Sequence, residues 1–177
     1  MSNDLNGIWY NELGSTMSLT ADGLGALSGF YSSAVGVGAA DGTTPTPTPT
    51  PTQTALSRFA LLGRYDPEPP SGSGGNSKGT SLGWAVAYDY AHSTATWSGQ
   101  YFPKTDGTDS EETIVTHWLL TTSSTPADVW SSTNVGTDTF TRAAPDAADV
   151  AKAVEKGKLT FASPHPEQIV AALNKAK

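Results

Sequence analysis

Two groups of residues in this sequence carry side chains suited to chemistry. His92, Ser93 and Asp138 are the residue types of a hydrolytic triad. Adjacent residues on a strand face opposite sides, however, so His92 is not placed to act as a base toward the Ser93 hydroxyl. The second group is Trp9, Trp84, Trp97, Trp118 and Trp130, five tryptophans in short polar-flanked segments of a chain with no cysteine and three histidines. Indoles can wall a box around a compact apolar ligand, and hydroxyl and amide side chains between them can fix its polar end. That pattern points to binding rather than catalysis. Taken singly, each tryptophan also reads as an ordinary core residue, so their arrangement has to decide.

Such a box needs elements that hold the indoles in fixed register. Short runs rich in Thr, Tyr, Trp, Val and Leu alternate with clusters of Gly, Asp, Asn, Ser and Pro, the pattern of antiparallel strands joined by turns. We read strands at about residues 7–13, 15–20, 26–33, 57–66, 80–90, 93–102, 111–121 and 134–142. Eight strands in up-and-down order predict an all-β fold, a closed antiparallel barrel, since closure removes the exposed edges of an open sheet. Parity then sorts the side chains. Trp9, Asn11 and Leu13 share a face, as do Leu27, Tyr31 and Ser33, then Leu82, Trp84 and Val86. Ser93, Ala95 and Trp97 share another, followed by Ile114, Thr116, Trp118 and Leu120, and by Asp138 and Phe140. With these faces inward, the interior mixes indoles with hydroxyls, an amide and a carboxylate. A purely structural core rarely buries so many polar groups, each of which needs a partner or costs about 1–3 kcal/mol.

Two segments break the strand pattern. Residues 37–56 include Thr44-Pro45-Thr46-Pro47-Thr48-Pro49-Thr50-Pro51-Thr52, whose alternating prolines favour extended polyproline II and cannot join a ladder. This reads as a Thr/Pro-rich loop insertion at one barrel mouth, either a tolerated surface loop or a lid. From Ala143 to Lys177 the chain changes character. Pro145 precedes an Ala-rich stretch with Val150 and Val154 four apart, predicting a short helix that stops at Gly157. A second helix is expected from His165-Pro166 through Ile169 and Leu173. The expected organisation is therefore a barrel domain over 1–142, containing the insertion, and a helical extension over 143–177.

A chain of 177 residues with 37% hydrophobic content fits one globular domain with appendages. Its formal net charge of -7, without a Lys/Arg cluster, argues against nucleic acid and anionic membrane surfaces as partners. No run of about 18 apolar residues spans a bilayer. The absence of cysteine excludes disulfides and thiolate chemistry but fits either redox environment. Met1-Ser2-Asn3-Asp4 is not a signal peptide; the expectation is cytoplasmic if Met1 is the native start, and secreted if a leader has been removed.

Seven motifs carry a resemblance. Trp9-Tyr10-Asn11-Glu12-Leu13-Gly14-Ser15, His92-Ser93-Thr94-Ala95-Thr96-Trp97-Ser98-Gly99-Gln100-Tyr101 and Thr116-His117-Trp118-Leu119-Leu120 closely resemble the avidin and streptavidin family of biotin-binding proteins. Gly25-Ala26-Leu27-Ser28-Gly29-Phe30-Tyr31, Gly63-Arg64-Tyr65-Asp66, Leu82-Gly83-Trp84 and Asp138-Thr139-Phe140-Thr141 add to the match in the same order. The resemblance covers about residues 7–142, apart from the insertion. It implies biotin as ligand rather than cofactor, no catalysis and no metal. Asn11, Ser15 and Tyr31 would donate to the ureido oxygen as an oxyanion hole does, with Asp138 and Ser33 accepting the two ureido N–H groups. Trp84, Trp97 and Trp118 would wall the thiolane ring and chain, and Leu13, Val35 and Leu120 would fill the remaining apolar surface. Ser93 would bind the valerate carboxylate together with backbone N–H groups near Val37. Trp130 would come from a neighbouring subunit, which implies a homo-oligomer, a tetramer by analogy. Trp9 belongs to the closed end and to the core.

The sequence also departs from the family. Ala95 stands where the family has a threonine whose hydroxyl meets the ligand sulfur, a loss of about 1 kcal/mol for one neutral hydrogen bond; the neighbouring Thr94 points outward by parity. The Thr/Pro insertion replaces a short loop over the valerate. His117 also points outward, toward a subunit interface. Other readings remain open on the residues alone: an adhesive or structural module using Arg64-Tyr65-Asp66 and the tail, or a lipocalin-like carrier of another small apolar molecule.

Overall fold

Alternation is visible wherever the chain is extended. Along Ser93–Phe102, Ala95, Trp97 and Tyr101 are buried while Thr94, Thr96, Ser98 and Gln100 are exposed, the signature of a strand with one wet face. The computed structural model of the chain describes residues 5–34, 58–68, 79–88, 92–104 and 111–160, with side chains through Ala153. Its strands are β1 (Gly7–Asn11), β2 (Thr16–Ala21), β3 (Ala26–Ser32), β4 (Phe59–Tyr65), β5 (Thr80–Tyr88), β6 (Ser93–Phe102), β7 (Thr113–Thr122) and β8 (Thr133–Thr141). Each pairs antiparallel with the next, and β8 returns to β1 through Tyr10↔Thr141 and Asn11↔Phe140. The sheet is a closed eight-stranded barrel. Every expected strand is present, its ends displaced by at most two residues. Leu13 and Ser33 consequently fall just outside β1 and β3, in the segments that follow them.

Up-and-down order gathers the β1–β2, β3–β4, β5–β6 and β7–β8 connections at one end, the mouth. The other end is sealed by side chains. Trp9, 0% exposed, donates its indole N–H to the Leu5 carbonyl at 3.0 Å and meets Tyr101 edge-on with ring centroids 6.0 Å apart. The Arg142 guanidinium lies 3.6 Å from the Trp9 ring centroid, an approach favoured by the negative face of the indole. Arg142 Nε also pairs with Glu112 Oε1 at 2.6 Å, and Tyr101 donates to the other Glu112 oxygen at 2.9 Å. Above this plug, Met17, Leu27, Leu61, Ile114 and Phe140 fill the barrel. Trp9 is thus core, as its position predicts.

Beyond the barrel, α1 (Ala147–Thr160) follows Pro145. Asp146 caps it, its carboxylate accepting the Asp149 N–H at 2.8 Å. The helix does not stop at Gly157 as the sequence predicts but runs on to Thr160. A glycine inside a helix costs only about 1 kcal/mol relative to alanine, which is not enough to end one by itself. The Thr/Pro insertion and the second predicted helix lie outside the described residues.

Candidate ligand-binding site

Asp138 anchors the site. It sits on the inward face of β8 and is only 4% exposed. A buried carboxylate must be hydrogen-bonded to stay ionised, and two side chains from other strands meet it. Asn11 Nδ2 on β1 donates to Oδ1 at 3.2 Å, and Trp97 Nε1 on β6 donates to Oδ2 at 2.8 Å. Burial is still the largest influence and pushes the carboxyl up to about 6, with Glu12 adding to the rise; hydrogen bonds from Trp97, Asn11 and Trp118 oppose it. Thr116, fully buried on β7, bonds the Asp138 carbonyl at 3.1 Å and fixes the strand there.

The Asn11 amide organises the turn beyond β1. Its oxygen accepts the Leu13 N–H at 3.1 Å and the Ser15 N–H at 2.8 Å. Gly14, with φ +83°, takes the left-handed conformation that the turn requires. Ser15 Oγ accepts the Ala34 N–H at 3.0 Å and is hydrogen-bonded to Tyr31. Burial, then the nearby Asp138 charge, raise the Tyr31 phenol above its ordinary value, so it is a neutral hydroxyl. Asn11, Ser15, Tyr31 and Asp138, drawn from three parts of the sequence, thereby converge on one polar cluster.

The aromatic wall is continuous with that cluster. Trp84 and Trp97 face each other in register on β5 and β6, stacked at 5.7 Å and 19°. Tyr31 leans on Trp97 with centroids 5.0 Å apart. Trp118 pairs with Trp97 across β6 and β7, and Leu120 with Ala95; both Trp118 and Leu120 are half-buried against the core. Ala95 is buried on the inner face and presents no hydroxyl, while Thr94 is exposed on the outer one, as is His117. The Trp84 indole N–H is buried without a hydrogen-bond partner among the described residues.

At the mouth, an open depression of about 370 Å³ is lined by Tyr88, His92, Ser93, Thr122 and Ser123 among others. Ser93 and Ser33 are both half-buried. Trp130 lies on a short 3-10 helix, Val129–Ser131, in the β7–β8 connection and is 49% exposed. Val35 and Val37 lie outside the described residues. The three triad residue types do not assemble: His92 is exposed at the rim with φ 46°, and the Asp138 oxygens bond Asn11 and Trp97. Arg64 and Asp66 serve the far end, Arg64 reaching the Leu24 carbonyl at 3.4 Å and Asp66 accepting the Glu68 N–H at 3.0 Å.

Two contributions were not anticipated from sequence. Gly136 faces Trp118 in the β7–β8 ladder, where a Cβ would run into the indole ring. Parity with Asp138 was the signal available, since it puts Gly136 on the inner face. Tyr88 bridges Tyr31 and Phe59 edge-on at 6.4 and 4.9 Å, tying the mouth to the polar cluster. It sits at a strand end, where alternation alone says little about contacts.

A closed barrel with a hydrogen-bonded carboxylate beside stacked indoles defines a small-ligand-binding barrel, the class in which side chains enclose one compact molecule. Residues 1–143 match the Avidin family, and the chain belongs to that family. It is a non-enzymatic family whose ligand is biotin.

Proposed function

We propose that this chain binds biotin tightly and without transforming it, in the mouth of the barrel, and so sequesters the free vitamin. The observation that carries the reading is Asp138, a carboxylate held inside the barrel by Asn11 and Trp97 directly beside the stacked Trp84–Trp97 pair. A ligand that offers an N–H donor next to an apolar ring satisfies both halves of that arrangement, and biotin does so with its ureido and thiolane rings.

In this reading the ureido oxygen takes hydrogen bonds from Asn11, Ser15 and Tyr31. Asn11 spends one amide hydrogen on Asp138 and has a second for the ligand. The ureido N–H groups go to Asp138 and Ser33, so the ureido group is polarised from both sides. Trp84, Trp97 and Trp118 enclose the thiolane ring, Leu13, Val35 and Leu120 complete the apolar lining, and Ala95 contributes shape without a hydroxyl. Ser93 and the backbone near Val37 receive the valerate carboxylate. Trp130, half-exposed in the single chain, is lent to a neighbouring subunit of a homotetramer. The test is titration with biotin followed by tryptophan fluorescence; a saturable change at stoichiometric ligand is expected, and none at micromolar protein overturns the proposal.

A further inference from the structure

We infer that α1, through Val150, is a positioning element for the β1–β2 turn that carries Leu13 and Ser15, and that it slows escape of the ligand. The second clause rests on the biotin reading above.

The turn is held by hydrogen bonds with Asn11, and its Glu12, Leu13 and Gly14 are half-buried. Asn11 bonds it four times through its own backbone and amide: its N–H to the Ser15 carbonyl at 3.1 Å, the Gly14 N–H to its carbonyl at 3.0 Å, and the Leu13 and Ser15 N–H groups to the amide oxygen. Ser15 Oγ then ties it to Ala34, where the β3–β4 connection begins. Gly14, which the turn geometry demands, has no side chain to pack. Val150 occupies the space beside it: a Cβ on Gly14 would stand 3.8 Å from Val150 Cγ2 and 3.8 Å from Ala34 Cβ, ordinary van der Waals distances. One residue of the extension therefore lies beside the turn that Ser15 ties to Ala34.

This contact is built into how the extension leaves the barrel. Arg142 is clamped to Glu112 and to the carbonyls of Asn6 and Ile8, and Thr141 Oγ1 donates to the Ala143 carbonyl at 3.0 Å. Asp146 caps α1 four residues before Val150, whose N–H bonds the Asp146 carbonyl at 3.0 Å. Within the first turns, Val150 and Ala153 are half-buried while Ala147, Ala148, Asp149, Ala151 and Lys152 are exposed. Residues three apart share a helix face, so α1 offers one side to the barrel. The whole helix lies beyond the 1–143 span that matches the family.

The test compares the full-length protein with Val150→Asp and with Ala151→Asp, which places the same charge on the exposed side. Hydrogen exchange of the Leu13, Gly14 and Ser15 amides is read without ligand, and biotin dissociation is read by competition. Val150→Asp is expected to raise exchange of those amides at least threefold, with β5–β7 amides unchanged, and to raise the biotin off-rate by a similar factor; Ala151→Asp should do neither. Unchanged exchange in Val150→Asp overturns the inference. Faster exchange with an unchanged off-rate overturns its second clause. Should the wild type bind no biotin, the ligand reading falls, and the exchange result still decides whether α1 holds the turn.

Discussion

Trp97 donates its indole N–H to Asp138 at 2.8 Å across the inside of the barrel, spanning from β6 to β8 over the intervening β7. The aromatic wall and the polar end of the site are therefore one unit, because the same indole stacks on Trp84 and orients the carboxylate. Anything that disturbs one disturbs the other.

Trp97→Phe tests that coupling. An aromatic ring remains, but the pyrrole portion and its donor are lost; the packing loss is the same at every pH, while Asp138 keeps only its other partners. An under-bonded buried charge costs about 1–3 kcal/mol. The loss should be greatest near pH 7.5, where the carboxylate is ionised, and should shrink at pH 5, where protonation relieves it. Denaturant unfolding at the two pH values measures both; equal losses contradict the coupling.

The pH dependence of the wild type follows from the raised Asp138 pKa. Its carboxyl moves from 3.8 up to about 6 on folding, so between those values the folded state holds the proton that the unfolded state has released. Stability from this group is greatest below about pH 4 and falls as pH rises toward 6, by on the order of 3 kcal/mol in all. Asp138→Asn should flatten that part of the profile. Biotin runs the other way, since the ionised carboxylate is the stronger acceptor for its N–H: affinity should fall by up to about tenfold between pH 7.5 and pH 5, with proton release on binding at the lower pH. Calorimetry in buffers of different ionisation enthalpy detects both.

Much of this arrangement was legible in the sequence because strands report their faces. Parity grouped Trp97 with Ala95 and Asp138 with Phe140, and the ladder reproduces both groupings. It puts Trp9 on the face of Asn11, and the family resemblance assigns it to the closed end, where it is fully buried. What parity does not encode is where hydrogen bonds go. Asn11 reads as a ligand donor, yet its amide also holds Asp138 and the turn. Strand ends lie up to two residues from where the sequence pattern puts them, since Leu13 is apolar enough to extend a strand although Gly14 bends the chain beside it. The helix overran Gly157 because local propensity is weak against continued hydrogen bonding.

Ala95→Thr asks whether the site has room for the missing hydroxyl. Ala95 faces Val86 on one side and Leu120 on the other in register, and Leu120 is only half-buried, so the added atoms have a yielding neighbour toward the mouth. One neutral hydrogen bond contributes about 1 kcal/mol, and biotin should dissociate about fivefold more slowly. A faster off-rate would mean that the threonine overpacks the wall instead.

The closed end makes a separate prediction. Arg142 pairs with Glu112 while its guanidinium lies over Trp9. Arg142→Ala removes both contacts, together with the hydrogen bonds to the Asn6 and Ile8 carbonyls, and should cost about 2 kcal/mol of stability. Arg142→Lys keeps the charge but not the planar fork that stacks and pairs at once, so it should recover less than half. Full recovery by lysine would assign the effect to charge alone.

Trp130 makes the prediction that depends on assembly. In the single chain its indole is 49% exposed on the β7–β8 connection, and a large aromatic on that connection is the type of side chain that dominates an interface once a partner covers it. If a neighbour's Trp130 closes the site, Trp130→Ala removes contact area from the ligand without touching its hydrogen bonds. The barrel's own melting temperature should then stay within a few degrees, while biotin dissociation accelerates by at least tenfold, or about 1.4 kcal/mol. Light scattering decides what the effect means. A tetrameric wild type with a tetrameric, faster-releasing variant supports a shared site. Unchanged release from an intact tetramer shows that each barrel encloses its ligand alone.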